Sequence, residues 1–201
     1  MPPRCTTKVI ILGDSGVGKS SLMARFLENR FSPEAERTIG VEFGTRMVVS
    51  PNARNVKLCI WDTAGHEKYR SIIKSYYRKS NCVVMVYDVS NTESFDSVEQ
   101  YWFREVSKNV DSSARYFVVG NKSDKTRTVN PIHVDVFCKK HSIRSIETSA
   151  KHPHNVENLF NAVGCCDLNH PRDEALVYKC DGLGDDGFND GSCLHRLCFW
   201  F

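Results

Sequence analysis

Residues 13 to 20 read Gly13-Asp-Ser-Gly-Val-Gly-Lys-Ser20, a match to the pattern G-x-x-x-x-G-K-[ST]. Immediately upstream, Lys8-Val-Ile-Ile-Leu12 is an apolar run of strand length, and Ser20 to Glu28 downstream can form a helix. That flanking matters because the loop must join a buried strand to a helix N-terminus. Its glycines let successive backbone N–H groups face inward around an anion, and the helix start adds partial positive charge. Asp14, Ser15, Gly16, Val17 and Gly18 thus form the phosphate cradle, with Ser21 just inside the helix. Lys19 is placed to reach the β- and γ-phosphates, and the Ser20 hydroxyl to ligate Mg²⁺.

At 201 residues the chain has room for one full core. No stretch approaches the ~20 apolar residues that a membrane span needs. Met1 to Thr7 passes straight into the first strand without a signal-peptide pattern, so the nine cysteines are expected as thiols rather than disulfides. Cys59, Cys82 and Cys138 lie in apolar segments and read as small core residues. The net charge of +3 is uneven: residues 164–201 carry three basic and seven acidic side chains, leaving +7 on residues 1–163. The body shows no basic run interleaved with aromatics, so nucleic acid is not an expected partner. The division expected is an N-terminal extension over 1–7, a nucleotide-binding domain over 8–163, and an acidic, Gly-rich tail over 164–201.

Along the body, Phe31 to Glu42 is polar and irregular. Phe43 to Val49 and Val56 to Trp61 read as two strands of a hairpin. Cys82 to Asp88 and Tyr116 to Gly120 are continuous apolar runs, the pattern of strands covered on both faces. Between them Phe95, Val98, Trp102 and Val106 recur at helical spacing within a helix expected over Phe95 to Val110. Helices over Asn130 to Lys140 and from Asn155 to Val163 flank a short strand at Ser145 to Thr148. Alternation of this kind implies an α/β fold with a mainly parallel sheet and helices on both faces. In such sheets ligands sit at the carboxyl ends of the strands, where the motif-bearing loops emerge.

Four further segments complete a site. Trp61-Asp-Thr-Ala-Gly65 follows a strand: Asp62 can hold Mg²⁺ through a water, and the Gly65 N–H can meet a γ-phosphate. Thr38, in the irregular loop, offers a second hydroxyl for the metal. Asn121-Lys-Ser-Asp124 follows another strand, and the Asp124 carboxylate can accept both N1–H and the exocyclic amine of guanine. Adenine offers neither there, and leaving such a carboxylate unpaired rejects the wrong ligand by about 10⁴–10⁵. Lys122 lies within this motif, Ser149-Ala-Lys151 supplies a backbone N–H for the guanine oxygen, and Phe31 is placed to pack against the base. Asn121 to Asp124 alone would read equally as an exposed turn; five motifs in order, each at a strand end, would not.

With these residues in view, the chain resembles the small GTPases of the Ras superfamily, and among them the Rab family. The strings that carry the resemblance are Ile39-Gly-Val-Glu-Phe43, Lys57-Leu-Cys-Ile-Trp-Asp62, Lys68-Tyr-Arg-Ser-Ile72, Tyr76-Tyr-Arg-Lys-Ser80 and Tyr87-Asp-Val-Ser-Asn91. The resemblance implies a P-loop G domain: a six-stranded sheet with one antiparallel strand, and five helices. It implies a monomer that cycles between GDP and GTP with Mg²⁺, its loops around Thr38 and Gly65 ordered by the triphosphate. The implied partners are an exchange factor, an activating protein and effectors of vesicle traffic, at the cytoplasmic face of an endomembrane. Effector contact is implied for Ile39, Gly40, Val41, Glu42 and an aromatic trio of Phe43, Trp61 and Tyr76, each of which also suits a core.

Two departures from the family pattern stand out. His66 occupies the place where the family has a glutamine that orients the attacking water, beside Gly65 and Lys19. After Val163, Cys165-Cys166 lies far from the terminal Cys198-Phe-Trp-Phe201. Cys198 is fourth from the end and suits geranylgeranylation, although Trp200 stands where an aliphatic residue is expected; an unmodified tail is the alternative. One doubtful lipid site on an acidic tail implies weak peripheral association with membranes. The competing function is a Rab-like binding module that retains GTP because His66 handles water poorly. A P-loop kinase is opposed by Asn121 to Asp124 and by the lack of an acceptor site and lid.

Overall fold

The computed structural model describes residues 5–34, 37–49 and 55–165. Their strands are β1 (Cys5–Leu12), β2 (Val41–Val49), β3 (Asn55–Thr63), β4 (Cys82–Asp88), β5 (Arg115–Asn121) and β6 (Arg144–Glu147). They form one sheet in the order β2-β3-β1-β4-β5-β6, in which β2 pairs antiparallel with β3 and every other pairing is parallel. The fold is the expected α/β G-domain sheet. All seven residues of β4 are buried, as its unbroken apolar run implies for a central strand covered on both faces.

The helices are α1 (Lys19–Glu28), α2 (Arg70–Tyr77), α3 (Thr92–Ser97), α4 (Phe103–Asn109), α5 (Pro131–Lys140) and α6 (Val156–Gly164). Local chemistry fixes their ends. Asn91 and Asn130 cap α3 and α5 by accepting the Glu93 and Ile132 N–H groups, and Pro131 needs no partner at the first turn. Asn29 ends α1 in the left-handed conformation, where its N–H returns to the Arg25 carbonyl and the Arg30 N–H to the Ala24 carbonyl. One face of the sheet buries Leu22, Met23 and Phe26 of α1 against Leu159, Phe160 and Val163 of α6. Phe26 and Phe160 stack at 4.1 Å there, which contributes about 1 kcal/mol beyond burial. The other face holds Tyr77, Phe95, Trp102 and Phe137 around β4 and β5.

Several elements differ from the periodicity. β1 begins at Cys5, inside the expected extension, because Thr7 is buried and pairs with Leu58 although it is polar. The helix expected from Phe95 starts at Thr92 and is interrupted: α3 passes into a π turn over Val98–Trp102 before α4. With that segment counted as one rod, the α-helices among the described residues number five. Cys82 and Cys138 are core residues, but Cys59 is half-buried, since it lies on the same face of β3 as Lys57 and Trp61 and opposite Thr45 of the edge strand. Burial pushes the Cys138 thiol up to about 11, so it remains protonated and inert. Among the described residues no helix is long and apolar enough to cross a membrane. Cys198 and the rest of 166–201 lie outside the described residues.

Candidate functional site

A cavity of about 750 Å³ opens where the loops after β1, β3, β5 and β6 converge with the loop before β2. Its lining includes Ser15, Gly16, Gly18, Lys19, Ser20 and Ser21 from the phosphate loop and the start of α1, and Asn121, Lys122 and Asp124 from the loop after β5. Phe31, Thr38, Ile39, Gly65, His66, Ala150 and Lys151 close it.

The phosphate loop is held from behind by the base loop. Gly18 has φ +97° and a Cβ there would stand 2.3 Å from Asn121 Nδ2, so both conformation and clearance call for glycine. The same Asn121 Nδ2 donates to the Val17 carbonyl at 2.9 Å. Lys122 Nζ donates to the Gly16 carbonyl at 2.6 Å and pairs with Asp88 at 2.7 Å. Val17 thus serves as a buried anchor rather than as lining.

Lys19 is 5% exposed, and its Nζ donates to the Gly13 and Asp14 carbonyls at 2.8 and 2.7 Å. Burial brings it down to about 8, against the opposing pull of Asp62 and Asp14. A desolvated ammonium whose hydrogen bonds go to carbonyl oxygens is well suited to an anion.

Around Ser20 three side-chain oxygens gather. Ser20 Oγ lies 2.6 Å from Thr38 Oγ1 and donates to Asp62 Oδ2 at 2.5 Å. Asp62 is fully buried, its carboxyl raised to about 6 by that burial, and its Oδ1 has no hydrogen-bond partner at bonding geometry. A buried carboxylate oxygen left over beside two hydroxyls is an all-oxygen donor set, the chemistry a Mg²⁺ ion takes. These residues fit the metal.

Gly65 packs directly on the phosphate loop: a Cβ there would lie 2.3 Å from the Asp14 carbonyl carbon and the Ser15 nitrogen. Behind it the Ala64 N–H donates to the Gly40 carbonyl at 2.9 Å, joining the loop after β3 to the loop before β2. His66 is half-buried at the rim; its Nδ1 accepts the Lys68 N–H at 3.3 Å and its ring meets Tyr69 edge-on. At the other end Ser149 donates its hydroxyl to Asp124 Oδ1. Burial works to raise the Asp124 carboxyl, but that hydrogen bond, a backbone hydrogen bond and the nearby Lys151 and His152 together hold the group below its usual range.

Several residues stand differently from a local reading of the sequence. Asp14 turns its carboxylate away from the cavity to Trp102, and Ser149 acts through Asp124 instead of lining the space. Phe31 lines the cavity while also packing on the α1–α6 core. Arg25 was not singled out from sequence, yet its Nε donates to the Ala150 carbonyl at 2.8 Å and pins the loop after β6 to α1. Arg37, Tyr69 and Lys125 also reach the lining, with no local pattern to mark them.

On the outer sheet face Phe43, Trp61 and Tyr76 form a ladder with ring centroids 4.7 and 5.1 Å apart. Phe43 is 54% exposed and Ile39 80%, so neither is a core residue; Trp61 and Tyr76 are half-buried.

A phosphate loop between β1 and α1, at the carboxyl edge of a mainly parallel sheet, defines a P-loop NTPase fold of the G-domain type. Residues 8–165 match the Ras family model. Similar proteins include the Ras-related protein YPTC6 of Chlamydomonas reinhardtii, 43% identical over 78% of this chain and 72% of that one. The GTP-binding protein ypt3 of Schizosaccharomyces pombe is 43% identical over 78% and 73%, and the Ras-related protein Rab-11A of Dictyostelium discoideum 42% over the same shares. The chain belongs to the Ras family, as a small GTPase of its Rab branch.

Proposed function

We propose that this protein is a GTP-hydrolysing switch of vesicle traffic that binds GDP and GTP with Mg²⁺. The observation that carries the reading is a single cavity with buried Lys19 at one end and a Ser149-aligned Asp124 at the other. Lys19 and the backbone from Ser15 to Ser20 take the phosphates. Asp124 reads the guanine edge, Lys122 braces the loop beneath it through Gly16, and the backbone at Ala150 and Lys151 meets the base oxygen. Ser20, Thr38 and Asp62 are the residues that would hold Mg²⁺, which neutralises charge on the β- and γ-phosphates when bound.

Thr38 and Gly65 are the triphosphate sensors, and the Ala64-to-Gly40 hydrogen bond lets the two loops move together. The exposed Ile39, Phe43 and Trp61–Tyr76 ladder is the face an effector reads, with Gly40, Val41 and Glu42 along its edge. The Rab-branch relatives support the traffic role, and with it regulation by an exchange factor and an activating protein.

The test is the nucleotide carried by the purified chain, followed by competition with ATP. Bound guanine nucleotide that ATP does not displace at equal concentration is expected; displacement by ATP would end the reading. A second reading, a module that keeps GTP, is favoured by His66 alone, whose Nδ1 is engaged with its own loop at Lys68. Mostly GTP in the same extract supports it, and mostly GDP supports the cycling enzyme.

A further inference from the structure

Trp102 closes the π turn and is 0% exposed, yet its indole is not merely core. Its Nε1–H donates to Asp14 Oδ1 at 2.8 Å, across 88 residues of chain. A π turn carries an extra residue, which turns the side chains after it by about 100° relative to an uninterrupted α-helix. In this chain the residue that closes that turn is the one whose indole meets the phosphate loop.

Asp14 is where three constraints meet. Its side chain faces Trp102, away from the cavity that Ser15 and Gly16 line. Its carbonyl accepts from Lys19 Nζ at 2.7 Å. Its backbone, with the Ser15 nitrogen, forms the surface against which Gly65 lies without room for a Cβ. The Asp14–Trp102 bond therefore bears on the lysine that takes the phosphates and on the segment after β3.

We propose that Trp102 is a positioning residue for the phosphate loop, clamping Asp14 so that Lys19 and Gly65 stand in register around the cavity. Nucleotide retention is then set partly by the α3–α4 helix, which never touches the nucleotide. The role rests on the nucleotide reading of the loop. A charge-assisted bond from a buried indole is strong enough for its loss to change retention about tenfold.

The experiment measures release of a fluorescent GDP analogue from the full chain with Mg²⁺, together with the Trp indole N–H resonances by NMR. Trp102→Phe and Asp14→Ala are each expected to release GDP about tenfold faster. The double variant should be no faster than the faster single one, because both substitutions remove the same bond. Asp14→Asn, which keeps an acceptor, should recover most of the loss. The Trp102 indole resonance, assigned by its disappearance in Trp102→Phe, should move upfield in Asp14→Ala while the other indole signals stay.

Wild-type release from Asp14→Ala, or single effects that multiply in the double variant, would overturn the proposal. If the wild type binds no GDP, the nucleotide reading fails by itself. The indole resonance then still decides the clamp: an unmoved signal in Asp14→Ala overturns it.

Discussion

Ser20 Oγ and Thr38 Oγ1 stand 2.6 Å apart although 18 residues separate them in the chain. One stands in the first turn of α1 and the other in the loop before β2, so this contact joins the two segments. With Asp62 Oδ1 unsatisfied beside them, the three side chains would suit a divalent cation. Chelation of divalent metal is expected to speed GDP release by about tenfold or more, measured by fluorescence after adding EDTA. Ser20→Asn should weaken GTP more than GDP, because the more highly charged triphosphate would depend more on a cation held by Ser20. Equal loss for the two nucleotides would contradict this assignment.

Local strings were the legible part of the site. Gly13 to Ser20 and Asn121 to Asp124 announce themselves because the chemistry needs neighbouring residues in fixed order. The sheet was legible too, since β4 and β5 carry continuous apolar runs at their centres and β2 pairs with β3 from Val41 to Val49 as a hairpin. What stayed hidden are pairs joined only by the fold. Trp102 to Asp14 spans 88 residues and Arg25 to Ala150 spans 125, and neither partner carries a local mark of the other. The π turn was hidden for a related reason: Phe95, Val98, Trp102 and Val106 keep a helical rhythm whether or not one turn is widened.

Base specificity should turn on Asp124. Its carboxylate is aligned by the Ser149 hydroxyl, so its acceptors are fixed before any base arrives. Asp124→Asn converts an acceptor into a donor, which suits xanthine and opposes the guanine amine. Titration with GDP and XDP should show GDP weakened by on the order of 10³-fold and XDP bound more tightly than GDP. A variant that still prefers GDP would mean that another residue reads the base.

Acid should loosen the brace beneath the phosphate loop. Burial tends to raise the Asp88 carboxyl, but Lys122 at 2.7 Å and the Ser90 hydroxyl and N–H outweigh it and hold the group below its ordinary range. A carboxylate depressed on folding stabilises above the unfolded-state pKa, and that stability is lost as pH falls through the folded value. In urea unfolding, Asp88→Asn should cost about 2 kcal/mol at neutral pH. The gap to wild type should shrink as pH drops through and below the ordinary carboxylate range. A gap that stayed constant with pH would show that the charge of Asp88 contributes nothing.

Turnover turns on His66. A glutamine at the rim beside Gly65 has a donor and an acceptor on a flexible stem, able to set a water in line with the γ-phosphate. Imidazole has one of each on a short rigid ring, and here Nδ1 already accepts the Lys68 N–H, with the ring against Tyr69. Misplacing a reacting group by about 1 Å can lower a rate on the order of 10²-fold, so even partial misplacement slows hydrolysis. His66→Gln is expected to raise intrinsic single-turnover hydrolysis about tenfold, near 1.4 kcal/mol of barrier. An activating protein that brought an arginine and a glutamine of its own to the site would make stimulated turnover far less sensitive to residue 66. If His66→Gln is no faster than wild type without an activator, water positioning does not set the rate. If neither form turns over with any activator, the chain is the GTP-retaining module and the segment after Gly65 is built to stay on.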